Sequence, residues 1–257
     1  MSVSNSRNRI LGTQVPTAGG LAVLPLAVLA LALVHPPTSL GATPHVALGR
    51  LDNGSQPSPL AGGCGELRSN ADGTYENAYT WSSSAVSPPD YGAFAESFSG
   101  QATICAVVVD LTTLEGFHNG QTLDAYAWED AGGEPGAVVS LVTGVDPGFI
   151  GIWPNISRIE IPMDGSPTGD TWWVGVWNAW PGAEDPGWWI AADQDGPGGT
   201  PLTKIAPDLG YPTGWQDVNV VWPSTRAMGI GVESIVATPT RMGSWGGVKS
   251  LFHHSAR

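Results

Sequence analysis

Asp193-Gln194-Asp195-Gly196 sets two carboxylates two positions apart, just ahead of a glycine turn. Calcium loops use that spacing, because alternate residues of a tight loop aim their oxygens inward at a hard cation. Asp193 and Asp195 are therefore the candidate metal ligands, with Asp185, Asp208 or backbone carbonyls to complete the shell. A full calcium loop also needs a third acidic position and a closing Glu, and the match fails at both. An ordinary turn can carry the same tetrapeptide, since Asp hydrogen-bonds its own backbone there. No cofactor other than calcium is expected.

Catalysis has little to work with. A Ser–His–Asp arrangement needs a histidine, and between Gly49 and Thr240 the chain offers only His118, in a His118-Asn119-Gly120 turn. No Gly-x-Ser-x-Gly elbow occurs. Glycoside hydrolysis needs two carboxylates facing each other across a cleft. Among 23 acidic residues, Glu96 and Glu233 fall on expected strands and are the pair to test. Cys64 and Cys105 are the only cysteines, and two thiols cannot complete a zinc site. In an exported protein such a pair reads as a disulfide. The chain is expected not to be an enzyme.

The aromatic residues say more. Six of the 12 tryptophans fall between Trp172 and Trp189, within Thr171-Trp172-Trp173-Val174-Gly175-Val176-Trp177-Asn178-Ala179-Trp180 and Gly187-Trp188-Trp189-Ile190. Read with period two, Trp172, Val174 and Val176 share one face of a strand, and Trp173, Gly175 and Trp177 share the other. One row fills a core. The other is expected to lay flat aromatic surface on the opposite face. Sugar rings pack their C–H faces on indole, and nearby carboxylates and amides bond their hydroxyls. Trp173, Trp177, Trp180, Trp188, Tyr126, Trp128 and Asp124 are the candidate ligand-binding residues. Asn178, Glu184 and Asp185 lie just beyond the run. The competing reading has the same indoles filling the sandwich or lying flat over Gly175, Gly229 and Gly231.

Turn-rich β structure is what must position these groups. The 257 residues include 35 Gly and 22 Pro, with 42% apolar residues, a composition of short strands and tight turns. Alternating or apolar runs at residues 75–81, 93–98, 103–111, 122–129, 137–142, 149–153, 158–161, 172–180, 188–193, 217–222 and 227–233 predict about ten strands. The fold expected is all-β, an antiparallel β-sandwich of jelly-roll-like form. Residues 103–111, with Val107-Val108-Val109, read as a central strand buried on both sides. Residues 195–215 read as a Gly- and Pro-rich excursion.

Four segments follow in chain order. Residues 1–42 read as a signal peptide: Arg7 and Arg9 precede an apolar run at 21–34, and Ser39-Leu40-Gly41-Ala42 offers small residues for cleavage. Residues 43–72 read as a linker, 73–238 as the sandwich, and 239–257 as a basic tail. All 23 acidic residues lie between Asp52 and Glu233, where only Arg68, Arg158, Lys204 and Arg226 oppose them, a balance of −19. Such a body repels phosphate backbones and anionic lipid, so no nucleic-acid partner is expected, and no membrane insertion after signal cleavage.

Glu76-Asn77-Ala78-Tyr79-Thr80-Trp81, Pro88-Pro89-Asp90-Tyr91-Gly92-Ala93-Phe94-Ala95-Glu96, Trp128-Glu129-Asp130-Ala131-Gly132-Gly133-Glu134-Pro135-Gly136, Trp177-Asn178-Ala179-Trp180-Pro181-Gly182 and Gly210-Tyr211-Pro212-Thr213-Gly214-Trp215 together resemble a family of exported bacterial β-sandwich proteins with no known activity. Ser244-Trp245-Gly246-Gly247-Val248-Lys249-Ser250-Leu251 resembles a short ending shared by exported proteins of such bacteria. That ending stops at a Tyr-Arg pair, whereas here Phe252-His253-His254-Ser255-Ala256-Arg257 follows. The resemblance implies export and transfers no catalytic residue. The function expected is a secreted or cell-surface, non-catalytic module that binds a glycan or another extracellular polymer. The alternatives are a structural cell-envelope protein with a buried Trp cluster, and a glycan-cleaving enzyme.

Overall fold

A computed structural model of the chain describes residues 45–48, 64–81, 85–114, 120–178 and 187–236. The expected signal peptide, the basic tail, His118, Trp180, Glu184 and Asp185 lie outside the described residues. The strands are β1 (His45–Leu48), β2 (Glu66–Ser69), β3 (Asn77–Thr80), β4 (Phe94–Ser99), β5 (Ala102–Thr112), β6 (Leu123–Asp130), β7 (Pro135–Val145), β8 (Ser157–Gly165), β9 (Thr171–Asn178), β10 (Trp189–Asp193), β11 (Leu202–Ile205), β12 (Gly214–Asp217), β13 (Ala227–Met228) and β14 (Ile230–Val236). They form an eight-stranded sheet and a six-stranded sheet, antiparallel throughout.

The larger sheet runs β1-β3-β10-β5-β14-β2, with β8 also on β5 and β13 on β10. The smaller runs β12-β11-β4-β9-β6-β7. Successive strands repeatedly switch sheets, as they do in a jelly roll. Tyr79 and Trp81, the alternate residues Val107, Val109 and Leu111 of β5, and Ile230 and Val232 of β14 meet Phe94, Phe98, Trp172, Val174 and Val176 in one hydrophobic core. The all-β sandwich read from strand spacing is the fold observed. β5 is central and buried nearly throughout, as its continuous apolar run requires.

Three expectations are corrected. β1 and β2 lie inside the stretch read as linker, so strand structure precedes residue 73. β2 is a sheet-edge strand with one apolar residue, Leu67, and carries almost no hydrophobic pattern. The excursion at 195–215 contains β11 and the start of β12, which close the smaller sheet on the far side of β4. Residues 149–153 and 217–222 do not form the strands expected of them. Ile152 makes an isolated bridge to Thr113, and Val218–Val220 is a single 3-10 turn capped by the Asp217 carboxylate.

Candidate functional site

Strand pairing brings five of the candidate ligand-binding residues to one place. In the β6–β9 register Asp124 lies opposite Trp177, Tyr126 opposite Gly175, and Trp128 opposite Trp173. Trp172 and Phe98, on the other row, stack at 5.4 Å toward the larger sheet, beneath the Arg68 guanidinium. The Trp173 row is therefore the outward face of the smaller sheet. Tyr126 and Trp128 stack in parallel, centroids 4.9 Å apart and planes within 2°. Trp128 meets the edge of Trp215, from β12, at 5.6 Å.

These rings do not form an open platform. Trp173, Trp128, Tyr126, Trp177 and Trp215 are between 1 and 8% exposed. Trp188 is fully buried in the core between the sheets, away from this face. The expected flat aromatic surface is absent among the described residues, because these rings are nearly wholly buried and Tyr126, Trp128 and Trp215 pack on one another. Trp177 Nε1 donates to Tyr91 O at 2.9 Å. Lys204 ion-pairs with Asp90 and lies over both Tyr91 (5.4 Å) and Trp215 (5.7 Å). Burial, then the charges of Asp124 and Asp90, push the Tyr126 hydroxyl up to about 12.

The expected packing of indoles over glycine is also absent. A Cβ on Gly175 would stand 2.1 Å from Phe94 O and 2.9 Å from Ala95 Cα. On Gly229 it would stand 2.9 Å from Asp110 Cβ, and on Gly231 2.9 Å from Arg68 O. Neighbouring backbone and short side chains, not indoles, require these glycines.

The polar groups of the face are turned inward to hold loops. Asp124 Oδ1 accepts Gly144 N at 2.8 Å. Asp130 Oδ1 accepts Trp173 Nε1 at 2.9 Å, and its carboxylate also receives the N–H groups of Gly132 and Gly133. Those donors, Trp173 first, hold Asp130 below the usual carboxylate range. Glu129 accepts Thr168 N at 2.9 Å and Gly169 N at 3.3 Å, and these bonds lower it likewise. Glu129, Asp130, Asp170 and their neighbours line an open cleft of about 460 Å³ at this end of the sheet.

Asp193 and Asp195 meet Glu76, a residue the spacing argument did not include. One oxygen from each lies within 4.8 Å of the others. Asp193 is fully buried, and its oxygens accept Asp72 N at 2.9 Å, Asp195 N at 2.9 Å and Gly196 N at 2.7 Å. Glu76 accepts Gln194 N at 2.7 Å and is raised by its burial, then by the charges of Asp195 and Asp193. This is the bonding of a carboxylate that organises a turn. A Cβ on Gly196 would lie 2.2 Å from Asp193 Oδ2, which explains the glycine.

Glu96 and Glu233 do not converge. Glu96 sits between the sheets, where it accepts Met228 N at 2.7 Å. Glu233 follows Val232, whose side chain is in that core, so strand alternation turns Glu233 to the outward face of the larger sheet. There it accepts Cys64 N at 2.9 Å. Cys64 and Cys105 form the expected disulfide, with Cα atoms 6.1 Å apart. The bridge is compatible with an extracellular protein.

No family model, no curated protein and no solved structure matches the chain. Four of the five domain motifs singled out above converge in space: Tyr91, Trp128, Trp177 and Trp215, each from a different motif, all belong to the outward aromatic cluster. The parts played by Asp90, Tyr91, Lys204 and Trp215 were missed in the sequence. The Pro-Pro-Asp-Tyr-Gly turn was legible, but nothing in it says that its Tyr91 carbonyl meets Trp177 of β9.

Proposed function

We propose that the chain is a non-catalytic structural module of the cell exterior. In this reading the outward aromatic cluster extends the hydrophobic core through the smaller sheet, closed over by its own loops, and the module serves as a stable body. The observation that carries it is the burial of every described candidate indole, with the N–H groups of Trp173 and Trp177 donated to Asp130 and Tyr91 inside the chain. The apolar N-terminal run and the disulfide support placing it outside the cytoplasm. Trp173→Ala and Trp177→Ala are each expected to lose about 3–5 kcal/mol in denaturant unfolding, as buried indoles do. Wild type is expected to retain no polysaccharide on a broad glycan array. Unchanged stability together with lost glycan retention would sink the structural reading.

One observation favours a second reading, a glycan- or polymer-binding face. Val138 and Leu141 pair with Trp128 and Tyr126 across the β6–β7 ladder, and they are 52 and 44% exposed. They extend the aromatic cluster to solvent as an apolar strip along the sheet edge. On this reading a polymer lies along β7, and Leu141→Asp abolishes glycan retention without changing the melting midpoint.

A further inference from the structure

We infer that Glu233 guards the Cys64–Cys105 bridge against exchange with anionic thiols in solution. The larger sheet brings the three groups together. In the β5–β14 ladder Ala106 faces Glu233 and Ile104 faces Ser234, so Cys105 is left without a partner. The β5–β8 ladder also passes from Ile104 to Ala106. A register break of this kind re-aims the side chain that sits at it. Cys105 Sγ lies 3.4 Å from Glu233 O, and Cys64 Sγ lies 3.4 Å from Glu233 Oε2. The same Oε2 accepts Cys64 N at 2.9 Å, which fixes the carboxylate beside the bridge. Both sulfurs therefore rest against one residue, itself only 5% exposed.

Cys64 is exposed and Cys105 half-buried, so a thiol from solvent meets Cys64 first. Exchange begins when a thiolate attacks Cys64 Sγ in line with the bridge. The electron pair of the broken bond leaves on Cys105 Sγ, and a second thiolate then frees Cys64. Two thiols are oxidised to a small disulfide, and the bridge takes up two electrons to become two thiolates. The first transition state spreads one negative charge over three sulfurs. Glu233 sets a second negative charge against them. No cation offsets it among the described residues. Arg68 donates to Ser99 O, Arg158 and Lys204 pair with Asp110 and Asp90, and Arg226 turns to the Asp195 and Pro197 carbonyls. Unit charges about 4 Å apart change a rate about fivefold even in bulk water, and by more where water is partly excluded. The guard concerns the bridge alone and stands whichever reading of the aromatic face holds.

The test compares native wild type with Glu233→Gln, whose amide keeps an oxygen for Cys64 N and removes the charge. Each is reduced by excess cysteamine, whose thiolate carries an ammonium, and by excess 3-mercaptopropanoate, whose thiolate carries a carboxylate. Free thiols are counted by alkylation and mass spectrometry, and rates are expressed per thiolate. The variant should react at least about fivefold faster than wild type, with the larger gain for the anionic thiol. Equal rates overturn the proposal. An equal gain with both thiols also overturns it, since loosened packing alone produces that. In urea, where Glu233 no longer lies beside the bridge, the two proteins should react alike, and a difference that persists there counts against the guard. If the variant fails to fold, wild type decides. Its preference for the cationic thiol should be greater folded than in urea, and should survive Glu66→Gln, which removes an exposed carboxylate two positions from Cys64. The same preference folded and unfolded, or a preference lost with Glu66, overturns the proposal.

Discussion

Asp193 illustrates what a single residue can hide. Its carboxylate gathers three backbone N–H groups from the segment before β3 and from the turn after β10. Asp193→Ala strands those donors in a buried site, where each unmet group costs about 1–3 kcal/mol. The variant should lose about 3 kcal/mol in urea unfolding, with chelator present throughout. A loss seen only when calcium is supplied to wild type would instead make Asp193 an ion ligand. Its spacing to Asp195 was legible as a pair of oxygen donors. What could not be read was the recipient, because Asp72 and Glu76 reach the corner through tertiary packing. The same limit applied to Trp173 and Trp177. Period two placed them correctly on the opposite face from Trp172, but alternation says nothing about what covers a face.

At the level of elements, β9 shows how a strand can be buried on both sides in a two-layer fold. Gly175 lies opposite Ala95 of β4, with no room for a side chain between the two strands. Gly175→Ala would drive a methyl into the Phe94 carbonyl, and backbone cannot rotate away as a side chain can. Overpacking of this kind costs about 1–3 kcal/mol, and we expect the upper end in thermal or denaturant unfolding. A variant as stable as wild type would show that β4 and β9 can part freely. The long strands β5, β6, β7 and β9 were readable because each carries an apolar or alternating run that few other structures use. β2, β11 and β12 were not. Each has four residues, and Thr203-Lys204 and Gln216-Asp217 give a strand signal no stronger than a loop. They are strands because neighbours present open backbone hydrogen bonds, a property of the sheet and not of the segment.

For the whole molecule, the disulfide and the charge act in opposite directions. The acidic body repels itself, and the bridge limits the freedom of the unfolded chain. Cys64 and Cys105 are 41 positions apart, and closing a loop of that length contributes about 4 kcal/mol. The Cys64→Ser/Cys105→Ser double variant should unfold at correspondingly lower denaturant, and an unchanged midpoint would contradict this. The bridge also decides how the body carries a pull. β2 and β14 are antiparallel neighbours, with Glu66 opposite Ser234, so residues 64 and 236 come close together at one end of the larger sheet. Tension between residues 64 and 236 would ordinarily peel β2 away, one bond at a time. Cys64 instead hands the load covalently to β5, and Val236 is paired with Ala102 on that same strand. The force then runs through a short stretch of β5 and β14, and the rest of both sheets hangs outside the load path, unstressed.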